Sequence, residues 1–316
     1  MRDYIIRRIL LIIPTVFLVT LFVFIGIRLI PGNIVDHIVA SFQFFEEMDR
    51  IELEKSLGLD QPIHVQYFRY MGGLLRGDLG NSMLRQTPVL DLILERWPVT
   101  IELGLMGLLI GQLIAIPVGI LSAIRQDTLS DYVGRSFAIL AMAVPNFWLG
   151  TLIVVFPSMW WGYMPPIMAV PFFEDPLRNL ETFILPAVVL GMAMMGTTMR
   201  LTRAQMLEVL RQDYIRTAWA KGLRERVVVV RHALKNALIP IISLIGLRLP
   251  VLIGGTVIIE RIFTLPGLGR LIVEAANFRD YSILSGVLLF FAGFMVIANL
   301  LVDLTYSFVD PRIVYK

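Results

Sequence analysis

Residues 101–124 read IELGLMGLLIGQLIAIPVGILSAI, a run whose single charged side chain is Glu102. A bilayer core of about 30 Å is crossed by roughly 20 residues of apolar helix, and this stretch meets that length. Blocks of the same kind lie at 9–27, 136–156, 183–199, 237–258 and 283–302. Hydrocarbon offers the backbone no hydrogen-bond partner, so such blocks are expected to be helices. They do not alternate in hydropathy over short segments, which argues against a transmembrane β-barrel. The block at 183–199 is short and carries Gly191 and Gly196, which read as interruptions. The expected fold class is an all-α polytopic membrane protein with about six transmembrane helices.

Composition supports the same class. Apolar residues make up 57% of the chain and charged residues 17%, against roughly 45–50% and about 25% in soluble domains. Arg2, Arg7 and Arg8 precede the first block as in a signal peptide. The block is longer than the roughly 7–15 residues of such a segment and no small-x-small cleavage site follows Ile30, so it is read as a retained helix. Cysteine is absent, which excludes disulfides and thiolate-bound metals. Six spans put both termini on one side, together with the loops near 125–135 and 200–236. That side carries 16 Lys and Arg, while the longer opposite segments near 31–98, 158–182 and 259–280 carry 10. The positive-inside rule then places both termini in the cytoplasm. The basic residues follow membrane sidedness, so no nucleic-acid partner is expected.

The division read from the sequence is an N-terminal transmembrane helix at 1–30, an extracytoplasmic insertion at 31–98, and a five-helix core at 99–316. Within the insertion, 44–57 has mixed charge and helical spacing, and 65–75 reads as a short amphipathic helix with Tyr67, Phe68, Tyr70 and Met71. It reads either as a lid over the spans or as a docking surface for a delivery partner. Trp160-Trp161-Gly162-Tyr163 reads as an interfacial aromatic belt, with a substrate contact as the sharper alternative. Met192, Met194, Met195 and Met199 suit adaptable packing, and Met192 and Met195 are also candidates for lining a pathway. Arg248, alone among the mid-span charges, either lines that pathway or pairs with Asp303.

Between the fourth and fifth blocks runs RAQMLEVLRQDYIRTAWAKGLRERVVVVRHALK, residues 203–235. It is too polar for lipid and too short to be a domain. Asp213 suits the start of a short helix. Ile215, Ala218, Trp219 and Leu223 fall on one helical face, with Arg216, Arg224 and Arg226 elsewhere. Gly222 either stops that helix or admits a close neighbour. The residues alone leave open whether this is a handle for a partner or a loop made basic by its membrane side.

Ala218-x-x-x-Gly222, then an apolar-basic stretch and Leu238-Ile239-Pro240, resembles the cytoplasmic "EAA" loop of ABC-importer permeases. Aligned on the glycine, the family's Glu falls on Arg216 and its first Ala on Thr217, and the gap to Pro240 is longer than usual. The peptide-importer branch is a closer resemblance. Asp213-Tyr214-Ile215-Arg216-Thr217-Ala218, Ala220-Lys221-Gly222-Leu223 and Arg231-His232-Ala233-Leu234-Lys235-Asn236-Ala237 all resemble it. So do Leu57-Gly58-Leu59-Asp60-Gln61-Pro62, Gly73-Leu74-Leu75-Arg76-Gly77-Asp78-Leu79-Gly80, Leu265-Pro266-Gly267-Leu268-Gly269-Arg270 with Arg279-Asp280-Tyr281, Tyr4-x-x-Arg7-Arg8 and Ile30-Pro31-Gly32. The chain is similar throughout to the B-type permease of dipeptide/oligopeptide ABC importers.

That resemblance implies a type I ABC-importer permease fold in a prokaryotic inner or plasma membrane, forming half of a translocation pathway. It implies a homologous second permease, two ATPase subunits and an extracytoplasmic peptide-binding protein. ATP and Mg would sit on the ATPase subunits, with no cofactor or metal in this chain. The implied ATPase-coupling residues are Asp213, Arg216, Thr217, Ala218, Gly222, Leu223 and Arg226, with Ala218 and Gly222 allowing close approach and Leu223 anchoring.

Rival classes lack their residues. No G-x-x-x-x-G-K-[ST] occurs, so the nucleotide site is expected elsewhere. An ion-coupled secondary transporter would keep ionisable residues deep in the bilayer, and here Glu102, Glu260 and Asp303 lie near span ends. With only His37, His64 and His232, and no nucleophile–base grouping, an integral-membrane enzyme is not expected. Which substrate is carried (dipeptide, oligopeptide, glutathione or a nickel complex) is not legible in these residues.

Overall fold

The computed structural model describes residues 2–29, 35, 51, 54–55, 58–166 and 168–309, and their side chains except at 2–9, 12, 249–253 and 303–309. Most of the helix read at 44–57 lies outside these residues, as do the Ile30-Pro31-Gly32 stretch and the Asp303 side chain. The described chain is helical: α1 (Arg2–Arg28), α2 (Ile63–Leu74), α3 (Val89–Ile124), α4 (Leu129–Ala143), α5 (Asn146–Trp161), α6 (Pro176–Leu210), α7 (Asp213–Ala220), α8 (Glu225–Val227), a π-helical run Val228–Leu234, α9 (Lys235–Ile262), α10 (Leu268–Phe278) and α11 (Tyr281–Val309).

Four stretches are long and apolar enough to cross a membrane: Val89–Ile124, Pro176–Leu210, Glu225–Arg248 and Tyr281–Val302. The third expected span differs from a straight helix. Its two halves, α4 and α5, meet at 94°. The cause is local: Pro145 lacks an N–H and pushes Val144 into the extended region, at φ −80° and ψ 121°. With the shorter apolar helix Ile13–Arg28, these account for the six apolar blocks.

The fourth span also departs from expectation, because α6 runs unbroken through Gly191 and Gly196. These glycines mark close approach instead. A Cβ on Gly191 would stand 2.6 Å from the Gly107 carbonyl oxygen, and one on Gly196 would collide with the Ala138 carbonyl oxygen. Without a hydrophobic drive between helices in lipid, such small-residue contacts let backbones pack closely. Accordingly 67% of the α6 span window is buried within the chain, against 39% for α3, which makes α6 the central helix of its unit.

Contacts divide the chain into two compact units. One comprises α1, α2, the start of α3, α10 and the first part of α11. Its core includes Ile27, Val89, Ile93, Leu268, Leu271 and Val287. Asp280 closes it, accepting from the Ser82 hydroxyl at 2.6 Å and from the Ile283 N–H at the start of α11 at 3.2 Å. The other unit comprises the rest of α3, α4 to α9 and the end of α11. In it the buried Glu260 carboxylate accepts from the Thr100 hydroxyl at 2.8 Å, and Glu102 accepts from the Asn179 amide at 2.7 Å.

Candidate functional site

The stretch that stood out in the sequence forms α7 and the turn after it. Gln212 is extended, at φ −73° and ψ 149°, and occupies the capping position without a side-chain hydrogen bond. Asp213 therefore sits one residue inside the helix rather than capping it. There its charge suits the positive end of the helix dipole. It pairs with Arg216 at 3.3 Å, with both side chains open to solvent.

The helix splits the face that spacing suggested. Ile215 is fully buried and Ala218 nearly so, while Trp219 stays 45% exposed. Ile215 and Ala218 join Ala123 at the end of α3, Met206 on α6, and Val228, Val229, Ala233 and Ala237 where the chain turns into α9. Leu223 packs half-buried against this cluster. Ala218 and Leu223 thus pack against their own chain. Tyr214, Arg216, Thr217, Trp219, Lys221, Gly222, Arg224 and Arg226 form the open side.

The turn at the end of α7 depends on its glycine. Gly222 has φ +71°, and a Cβ there would meet nothing within 4 Å. Its N–H bonds to Trp219 O at 2.9 Å and the Leu223 N–H reaches back to Ala218 O at 3.4 Å. This is the paired closure of a Schellman motif, which requires a left-handed residue. Within this chain glycine is needed here for its backbone conformation. Beyond it the chain re-enters the apolar region through the π-helical run Val228–Leu234, a geometry that often marks functional sites. The Asn236 amide donates to the Tyr214 hydroxyl at 2.8 Å and ties α7 to the start of α9.

Sequence reasoning missed the charged group beside this foot. Asp131 on α4 is completely buried. Arg203 on α6 donates to it through Nε and Nη2, each at 2.8 Å. The Ser122 hydroxyl of α3 and the Asp127 N–H also donate to it, the latter at 3.0 Å. One carboxylate thereby joins the ends of α3, α4 and α6, from which α7 follows directly. The available signal was a pair of acids, Asp127 and Asp131, between Arg125 and Arg135; counting only Lys and Arg for sidedness obscured them.

The pathway candidates separate. Met195 is sealed among Ala115, Ala138 and Met199, with Met192 at the edge of that cluster. Met195 is thus a packing residue within this chain. Arg248 is exposed.

Comparison with known proteins agrees with this architecture. A family profile described as binding-protein-dependent transport system inner membrane component matches residues 115–315, and a companion N-terminal profile matches residues 1–104. A protein of Brucella suis biovar 1, provisionally named a peptide transport system permease protein, is 41% identical over the full length of both chains. The oligopeptide transport system permease protein AppB of Bacillus subtilis is 39% identical and the dipeptide transport system permease protein DppB of Escherichia coli K12 is 37% identical, again over all of both chains. Among solved structures, an inward-facing MetNI methionine ABC transporter matches with TM-score 0.54 over 70% of this chain and 97% of that one, at 15% identity, a likeness of fold. The chain belongs to the family of binding-protein-dependent transport system inner membrane components.

Proposed function

We propose that the chain forms half of the translocation pathway of an ATP-driven importer of dipeptides or oligopeptides. A homologous second permease completes the pathway, and an extracytoplasmic peptide-binding protein delivers the cargo. Two ATPase subunits carry ATP and Mg and engage residues 203–235 on the cytoplasmic side, where both termini also lie. The names of the relatives support the substrate class, and the distribution of Lys and Arg supports the sidedness.

One observation carries the coupling role: α7 is buried on one side in its own chain and open on the other. Its foot, Ile215 and Ala218, stands on the ends of α3, α6 and α9. Its open side offers Trp219 and Tyr214 among Arg216, Lys221 and Arg226. An exposed aromatic surrounded by cations suits a short helix seated in a groove of a partner. Closure of the ATPase pair then shifts the spans between two arrangements, to the extent that it binds them differently.

The test is Trp219→Ala in the intact transporter reconstituted in vesicles, measuring uptake and ATP hydrolysis together. Removing a central aromatic anchor costs about 2 kcal/mol or more, so uptake should fall by at least roughly tenfold while hydrolysis persists. Unchanged uptake, or peptide movement by this chain without any ATPase, defeats the reading.

A further inference from the structure

The unit built on α1, α2 and the start of α11 contains a cavity of about 310 Å³ that coupling does not use. Its volume lies at the small end of the roughly 300–1,000 Å³ typical of small-molecule sites. Phe24 and Ile27 of α1 form an apolar wall, and Arg28, Arg69, Tyr70 and Ser285 supply polar groups. The Arg28 guanidinium lies 4.9 Å from the Phe24 ring centre and 5.7 Å from that of Tyr281, which holds it over the cavity.

Among the described residues, neither Arg28 nor Arg69 makes an ion pair, in contrast to Arg85, Arg96 and Arg270 of the same unit, which share Glu274. The cavity's own carboxylate, Asp78, accepts from the Gly80 N–H at 2.8 Å. The Tyr70 hydroxyl is buried and faces Ser285. Burial pushes its pKa up, so it stays a neutral donor. Arg28 is half-buried, so leaving it unpaired carries a desolvation cost that an anion would offset, and the exposed Arg69 lines the same cavity.

The position selects the anion. Arg28 ends the apolar run of α1, whose Phe22, Ile25 and Leu29 are exposed to the surroundings of this chain. A cation that closes a lipid-facing helix stands at the level of the headgroups. We propose that this cavity binds the phosphate of an anionic phospholipid headgroup, with Arg28 and Arg69 as its cationic ligands.

Native mass spectrometry of the intact detergent-purified transporter, with added phosphatidylglycerol or phosphatidylcholine, tests this. Phosphatidylglycerol adducts should persist on the wild type and phosphatidylcholine adducts should not. Arg28→Gln with Arg69→Gln should lower phosphatidylglycerol occupancy about tenfold or more, by loss of charge-assisted hydrogen bonds. Arg28→Lys with Arg69→Lys should restore part of it, which separates lost charge from lost folding. Displacement of the lipid by millimolar inorganic phosphate would keep the site and assign it to a soluble phosphate. Equal retention of the two lipids, or full phosphatidylglycerol occupancy in the Gln variant, overturns the proposal. No transport is measured, so failure here leaves the peptide-import reading intact.

Discussion

Two Asp–Arg pairs on the same unit do opposite things. Asp131 and Arg203 meet through paired 2.8 Å hydrogen bonds, with the carboxylate completely buried. Asp213 and Arg216 meet at 3.3 Å with side chains 95% and 75% exposed. In the first pair the carboxylate is closed off while Arg203 keeps 20% of its side chain exposed. Water therefore competes weakly, and loss of one partner leaves a largely desolvated charge. In the second, water solvates both groups and the pair contributes little to stability. The same chemistry is therefore a staple in one place and an open surface in the other. The staple makes the ends of α3, α4 and α6 one rigid base, and α7 stands beside it with its charges available.

The largest effect should come from breaking the staple. Asp131→Ala should destabilise the chain by about 3–5 kcal/mol, because Arg203 keeps its charge without a partner. The thermal midpoint of the purified transporter and its yield in the membrane read this directly; a midpoint unchanged from wild type would falsify the staple. A smaller effect is expected at the foot of α7. Ile215→Ala should cost roughly 2–4 kcal/mol for a fully buried side chain, loosening α7 locally. Hydrogen exchange at 213–223 should rise while the α4 and α6 amides keep their protection. Exchange spread evenly over the unit would show that foot and staple are one cooperative block.

The smallest effect on stability belongs to the exposed pair. Arg216→Ala should change the thermal midpoint by the equivalent of less than about 0.5 kcal/mol, since such pairs contribute roughly 0–1 kcal/mol. If α7 is the coupling surface, the same variant should still lower uptake per ATP hydrolysed. A large stability loss with normal coupling would reverse the contrast drawn between the pairs.

Much of this was legible in one dimension because the bilayer imposes a length and forbids unpaired backbone. The apolar blocks, the polar run at 203–235 and the glycine stop at Gly222 all follow from local rules. Sequence went wrong where a neighbour decides. Gly191 and Gly196 read as breaks, but Gly107 and Ala138 on other helices make them contacts. The face containing Ile215, Ala218, Trp219 and Leu223 was one stripe by spacing, yet the foot takes Ile215 and Ala218 and leaves Trp219 outside. Asp131 was lost in a count of charges, because only the fold brings it to Arg203, on α6.

By itself, then, the sequence determined the class, the number of apolar helical segments and the segment that protrudes from them. These depend on hydropathy and on backbone conformations that each residue carries with it. Tertiary structure decided which side of α7 is free and which charges are structural. It decided them because burial and pairing are properties of the space between elements, and a one-dimensional pattern does not specify which elements meet.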